Sequence, residues 1–283
     1  MCIDRILSPE FVRQVCMAAR STGDFQRRER LSFDSSRVEE KNLHDYVSYV
    51  DREAERRLVA ALSALLPEAG FIAEESTAVY AGEPYFWIVD PLDGTTNYLH
   101  DHWPYAVSIA LAGVAEGLLA GVVYDPGRDE CFYARRGGGA CVDGRPIRVS
   151  EVSALSAAYI HIGLPYDAVR YGEASAALLR RFYGRVGGVR ICGSAAMDIC
   201  GVAAGRVDAY VEPGLRIWDI AAGTLILREA GGRVTDFAGR DLLAALPDPA
   251  ASAQRRFDTV AVNAALHADF LQSAADALGG IAE

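Results

Sequence analysis

Apolar positions recur at different spacings along this chain, and the change in spacing divides it into two unlike halves. Ser8-Pro9-Glu10 is a helix-start signature, with proline suited to the first helical position. Phe11, Val15 and Ala18 then line one face, and Gly23 predicts the end of that helix. Residues 24–46 form the most polar stretch, running through Gln26-Arg27-Arg28-Glu29-Arg30 and Arg37-Val38-Glu39-Glu40-Lys41. It reads as a partly ordered, mobile segment. Val50, Ala54, Leu58, Ala61, Leu62 and Leu65 fall on one face of a second helix that Pro67 ends. Strand patterns follow at 86–90, 106–112, 118–124 and 131–134, and Asp143-Gly144 marks a hairpin turn before Ile147-Arg148-Val149.

Beyond residue 150 the rhythm becomes an alternation of strands and helices. Ala157 to Ile162 reads as a strand, 172–183 as a helix, and Ser194 to Ala204 as a helix behind Gly193. Val207 to Glu212 is a strand, Ile217 to Ala230 a helix stopped by Gly231-Gly232, Thr259 to Val262 a strand, and a last helix starts near His267. The pattern predicts an antiparallel-rich half over 1–150 and an α/β half over 151–283. No repeat, low-complexity tract or long linker separates them, so the expectation is one compact unit.

The chain has 283 residues and 51% apolar content, enough for a substantial core. Lys plus Arg number 28 against 38 Asp plus Glu, a net charge of −10 that speaks against a nucleic-acid-binding surface. No apolar run approaches the roughly 20 residues needed to span a bilayer. The opening Met-Cys-Ile-Asp-Arg lacks the basic and apolar regions of a signal peptide, so a cytoplasmic protein without membrane contact is expected. Cys2, Cys16, Cys131, Cys141, Cys192 and Cys200 are scattered singly with no Cys-x-x-Cys pair. They read as reduced, mostly buried thiols, and zinc is not expected.

The chemistry concentrates at Asp90-Pro91-Leu92-Asp93-Gly94-Thr95-Thr96-Asn97-Tyr98, directly behind the apolar run Phe86-Trp87-Ile88-Val89. Hard divalent cations take oxygen ligands, and Asp90, Asp93 and the Leu92 carbonyl offer three in one short turn. Pro91 stiffens the turn, while Gly94 lets backbone N–H groups approach a bound anion. Four other places supply acids: Asp51 after Asp45-Tyr46-Val47-Ser48, Glu74-Glu75-Ser76 after Phe71-Ile72-Ala73, Glu212 closing its strand, and Asp219 in Trp218-Asp219-Ile220-Ala221-Ala222-Gly223. Each has an ordinary structural explanation. Asp51 behind a Ser48 cap and Asp219 are both suited to the first turn of a helix, where they complement its dipole. Glu74 and Glu75 suit a solvated loop, and Asp90 and Asp93 suit Asx-type turns.

Together, these segments resemble the inositol monophosphatase family of metal-dependent, lithium-sensitive phosphatases. Asp90 to Thr96 resembles the family's first signature and Trp218 to Gly223 its second. Glu74-Glu75-Ser76 and Gly193-Ser194-Ala195-Ala196-Met197-Asp198 stand where the family has related elements. Asp45-Tyr46-Val47-Ser48-Tyr49-Val50-Asp51 is similar to its Asp-x-Val-Thr-x-x-Asp element, and the likeness runs from about residue 40 to 265. It implies a layered αβαβα sandwich, of mixed α+β and α/β character, of the inositol monophosphatase and fructose-1,6-bisphosphatase type. It further implies two or three Mg2+ ions per site. Glu74, Asp90 and the Leu92 carbonyl would hold the first ion, Asp90, Asp93 and Asp219 the second, and Glu74 would assist a third through waters.

By the same resemblance, phosphate would rest on the N–H groups of Gly94 and Thr95. The Thr95 hydroxyl paired with Asp51 would orient the attacking water, and Glu74 would share in catalysis. Glu212 with the backbone of Gly193, Ser194 and Ala195 would meet substrate hydroxyls, and Lys41 would close over the site from its loop. The expected substrate is a small phosphomonoester, such as inositol monophosphate or a similar polyol or sugar phosphate, and the expected assembly is a homodimer. Relatives of the same fold act on 3′-phosphoadenosine 5′-phosphate, fructose bisphosphate, histidinol phosphate or NADP. Thr96-Asn97-Tyr98 favours the inositol branch. A regulatory protein touching RNA or the transcription machinery is the alternative of another class. Ala73 stands in place of the family's usual Gly, Ser48 in place of Thr, and Lys41 to Asp51 is one residue short. Arg216 fills a variable position from which it could contact an anionic substrate group.

Overall fold

The computed structural model describes residues 3–33, 38–42 and 45–279. A short helix α1 (Ile3–Ile6) leads into α2 (Pro9–Arg30), whose first turn is capped by the Ser8 hydroxyl accepting from the Phe11 N–H at 3.2 Å. Helix α2 does not stop at Gly23. A Cβ there would sit 2.3 Å from Cε1 of Tyr124, so this glycine serves close packing rather than chain termination. The polar stretch is likewise more regular than its composition suggests. Residues 24–30 complete α2, and β1 (Val38–Asn42) pairs antiparallel with β2 (Asp45–Ser48). Residues 34–37 and 43–44 of that stretch lie outside the described set.

Helix α3 (Tyr49–Leu65) buries Val50, Ala54, Leu58 and Leu62, as its periodicity requires. Then come β3 (Ala69–Ala73), β4 (Tyr85–Asp93), the single-turn helix α4 (Thr95–Leu99), β5 (Ala106–Gly113), β6 (Gly117–Asp125), β7 (Glu130–Arg135), β8 (Ala140–Val142) and β9 (Arg145–Pro146). The seven strands β3 to β9 form one sheet in sequence order, antiparallel throughout except for the parallel pair β3–β4. Asp143 and Gly144 make the expected turn, both at positive φ (48° and 77°), between β8 and β9.

The second half contributes β10 (Tyr159–Ile162), α5 (Ala168–Phe182), β11 (Gly188–Arg190), α6 (Ala195–Ala203), β12 (Ala209–Leu215), α7 (Ile217–Glu229), β13 (Arg233–Thr235), α8 (Pro249–Gln254), β14 (Phe257–Val262) and α9 (His267–Gly279). Its five strands order as β11-β10-β12-β14-β13, parallel around β10 and antiparallel around β14.

Side-chain alternation along β4 shows how the layers stack. Trp87 and Val89 join the cluster formed with α2 and α3, while Phe86 and Ile88 join the one formed with α6 and α7. A sheet covered on both faces has nearly continuous apolar strands, and β5 and β6 are buried at every position. Helix α7 is buried almost all round because it lies between the two sheets. On the far side of the second sheet, α5 and α9 are joined by Phe182 and Phe270, stacked at 4.7 Å. Such a pair contributes about 0.5–1.5 kcal/mol beyond its buried area. The order is α2/α3, seven-stranded sheet, α6/α7, five-stranded sheet, α5/α9: the layered αβαβα sandwich. Among the described residues, no helix is long and apolar enough to cross a membrane.

Candidate active site

Asp90 and Asp93 stand three residues apart on β4, and regular alternation would aim them at opposite faces of the sheet. The pairing with β5 prevents this. Asp90 lies opposite Ser108 and Asp93 opposite Ala106, so β4 carries one extra residue between them. The resulting bulge at Pro91-Leu92 turns both carboxylates to one side. Leu92 N–H donates to Asp90 Oδ1 at 2.9 Å, and the Pro91 carbonyl accepts from Gln26 Nε2 at 2.6 Å. The extension of α2 past Gly23 is what places Gln26 there.

Asp93 is held from the second half of the chain. Its Oδ2 accepts from Ser194 Oγ at 2.6 Å and from the Ala196 N–H at 2.8 Å, at the start of α6. Asp219 sits in the first turn of α7, with Oδ2 accepting from the Arg216 N–H at 2.6 Å. Glu74 follows β3, its N–H bonded to the Val89 carbonyl at 3.1 Å. The loop behind it is fixed by buried Glu55 of α3, which accepts from the N–H groups of Glu75 (2.7 Å) and Thr77 (2.6 Å).

The charges of these carboxylates act on one another. Burial pushes Asp90 well above the usual carboxylate range, and the charges of Glu74, Asp93 and Asp219 push it further. Desolvation likewise raises Asp219, with Asp93 and Glu74 adding to it. Burial raises Asp93 to about 6, although the Ser194 and Ala196 donors pull against the rise. Burial and mutual repulsion both favour protons here, and a central multivalent cation reverses both effects. All the donors are hard oxygens, so the residues present fit a cation of the magnesium class.

Beside this group, Thr95 Oγ1 lies 2.9 Å from Asp51 Oδ1 and 3.0 Å from the Leu92 carbonyl. The other oxygen of Asp51 accepts from Ser48 N–H (2.9 Å) and Ser48 Oγ (2.7 Å), closing a capping box at the start of α3. Gly94 precedes α4 at φ 91°, where a Cβ would lie 3.0 Å from the Pro104 carbonyl and 3.1 Å from that of Gly193. Asn97 ties the two loops together, its Nδ2 donating to the carbonyls of Pro104 and Cys192, each at 2.7 Å.

Glu212 on β12 is raised to about 8 by burial, and it accepts a hydrogen bond from the Tyr210 hydroxyl. Its charge reaches Asp219, which places it on the same site. Gly163 makes room for it, since a Cβ there would lie 1.8 Å from Glu212 Oε2.

The structure thus brings Asp51, Glu74, Asp90, Leu92, Asp93, Gly94, Thr95 and Asp219 to one place, with Ser194 and Glu212 at its border. Lys41 falls in β1, and its side chain lies outside the described set. The sequence did not single out Glu55 or Gln26, and Asn97 entered only within the run Thr96-Asn97-Tyr98. Only Glu55 left a signal there, an acid one helical turn after Asp51 on the same face.

Residues 9–270 match the sequence profile described as the inositol monophosphatase family. The inositol-1-monophosphatase of Mesorhizobium japonicum is 46% identical over 201 residues, covering 70% of this chain and 75% of that protein. The putative Nus factor SuhB of Neisseria meningitidis serogroup B is 41% identical over 233 residues, covering 82% and 88%. The crystal structure of the extragenic suppressor protein suhB from Bartonella henselae superposes with a TM-score of 0.83 at 37% identity, over 93% of this chain and 97% of that one.

Proposed function

The chain belongs to the inositol monophosphatase family, and on that premise we propose that it is a magnesium-dependent phosphomonoesterase acting on inositol monophosphate or a similar polyol or sugar monophosphate. The observation that carries this reading is the gathering of Glu74, Asp90, Asp93 and Asp219 beside the Thr95–Asp51 pair. Asp90, Glu74 and the Leu92 carbonyl would hold one ion, and Asp90, Asp93 and Asp219 another. Glu74 would assist a third.

When bound, the ions supply Lewis-acid activation of water and charge to offset the leaving oxygen. Thr95 donates its hydroxyl proton to Asp51, which leaves its oxygen to accept from the attacking water. Asp51 is fixed for this task because Ser48 holds its second oxygen. The N–H groups of Gly94 and Thr95 receive phosphate oxygens. Glu212 and the Gly193–Ala195 backbone face the alcohol portion, where a carboxylate suits vicinal hydroxyls. Attack is direct and in line, without a phosphoenzyme. Lithium sensitivity and a homodimer belong to the same reading.

A phosphate-release screen across polyol, sugar and nucleotide monophosphates, with and without magnesium, tests it. Magnesium-dependent release from inositol 1-phosphate is expected, and inactivity across the panel would overturn the reading. The relatives named Nus factor support a second reading, a contact with the transcription machinery. Association of an inactive chain with that machinery would favour it.

A further inference from the structure

The loop before α6 carries a second group of ligating side chains, chemically unlike the carboxylates around Asp90. His161 on β10, Cys192 in the loop and Asp198 on α6 each offer one donor atom, and the three atoms lie within 4.8 Å of one another. His161 Nδ1 is 2.5 Å from Asp198 Oδ1, and Cys192 Sγ is 3.6 Å from Nδ1 and 3.9 Å from Nε2. Asp198 is buried, Cys192 half-buried, and Gly193 beside it exposed, so the cluster opens on solvent at one side.

We propose that His161, Cys192 and Asp198 form a binding site for a borderline-soft divalent cation of the zinc type. Thiolate, imidazole and carboxylate together suit zinc or cobalt, whereas magnesium prefers the all-oxygen cluster. Tetrahedral zinc, with bonds of about 2.0–2.3 Å, sets its donors roughly 3.3–3.8 Å apart. The Cys192 Sγ to His161 Nδ1 distance of 3.6 Å already falls in that range, and the Nε2 distance of 3.9 Å is just beyond it. The contact between His161 and Asp198 is shorter than this, and the ion would take the place of the proton between them. Burial and the Asp198 charge push the Cys192 thiol up to about 12, so binding also displaces the thiol proton.

Two of the ligands stand on rigid elements and the third on a loop that can adjust. Three protein ligands leave a fourth position for water, as in open zinc sites. The absence of a Cys-x-x-Cys pair pointed away from zinc. It missed this cluster because Cys192 and Asp198 stand 31 and 37 positions from His161 in the chain.

Cobalt(II), which replaces zinc and absorbs strongly when bound to thiolate, tests the site in protein already saturated with magnesium. The expected result is a thiolate-to-cobalt band saturating at one ion per chain. Cys192→Ser should abolish it, and His161→Ala should weaken binding at least roughly tenfold. The variant Cys16→Ser/Cys131→Ser/Cys141→Ser should retain the band, because those thiols lie elsewhere. If His161→Ala fails to fold, Cys192→Ser decides alone, with its circular dichroism compared to wild type. No sulfur band in the wild type, or a band that survives Cys192→Ser, would overturn the proposal.

Discussion

Asp51 divides its carboxylate between two partners: Oδ2 accepts from Ser48, and Oδ1 accepts from the Thr95 hydroxyl at 2.9 Å. The first contact closes a helix cap, and the second reaches the proposed site of water attack. Thr95→Ala should lower turnover by about 10²–10⁴-fold, the usual worth of proton transfer, with little change in melting temperature. Asp51→Asn should lose similar activity and also about 1 kcal/mol of stability through the weakened cap. Phosphate release and thermal unfolding, measured on both variants, separate the two roles. Equal stability losses would show that Asp51 has no separate capping role.

Asp93 accepts from Ser194 and Ala196 at the start of α6 and its charge acts on Asp90 and Asp219, so on the proposed reading it contributes to metal affinity. Asp93→Asn should cut turnover strongly and shift half-activation to higher magnesium, while its circular dichroism stays native. A magnesium activation curve matching wild type would show that Asp93 is not a ligand.

Stability should fall with pH in the absence of metal. Asp93 is raised to about 6 and Glu212 to about 8, and Asp90 and Asp219 are raised too, all chiefly by burial. A carboxyl whose folded pKa exceeds its unfolded one binds its proton more tightly when folded. Its stabilisation is therefore complete below the unfolded value and drains away as pH rises through the folded one. Metal-free protein should unfold at lower denaturant near about pH 8.5 than near about pH 5.5, and magnesium should remove most of the difference. Identical midpoints in metal-free buffer would contradict this.

Gly121 of β6 lets α7 approach the sheet closely. A Cβ there would lie 2.7 Å from the Ala222 carbonyl oxygen and 3.2 Å from Ala222 Cα, both backbone atoms. Gly121→Ala should cost about 1–3 kcal/mol by overpacking. Because Asp219 begins the same helix, the variant should also need more magnesium for half-activation. Unfolding curves and magnesium titrations of one preparation check both effects.

Much of the site was legible because its residues come in short runs whose spacing is itself chemical. Asp90 to Thr96 and Trp218 to Gly223 could be read directly. Periodicity also yielded α3, β5, β6 and α7. What failed was local inference about residues whose role is set by distant partners. Gly23 looks like a helix stop, yet it is small because the Tyr124 ring lies against it. Glu39 reads as part of a mobile polar segment, although it pairs with Arg52 at 2.5 Å between β1 and α3. The ordinary and proposed functional explanations of Asp51 and Asp219 are compatible, since each carboxylate caps its helix and also lies beside the carboxylate cluster or Thr95.

The bulge at Pro91-Leu92 makes assembly of the cluster a matter of counting. Three residues apart, Asp90 and Asp93 share a face because one strand holds three steps where its neighbour holds two. Exchanging Leu92 for another residue keeps the count, and its carbonyl would still be present. Without that extra residue the acids would stand two apart and share a face by plain alternation, but the bulge at Pro91-Leu92 would be lost. The same three-against-two step recurs between Glu212 and Leu215 on β12, on the other wall of the site.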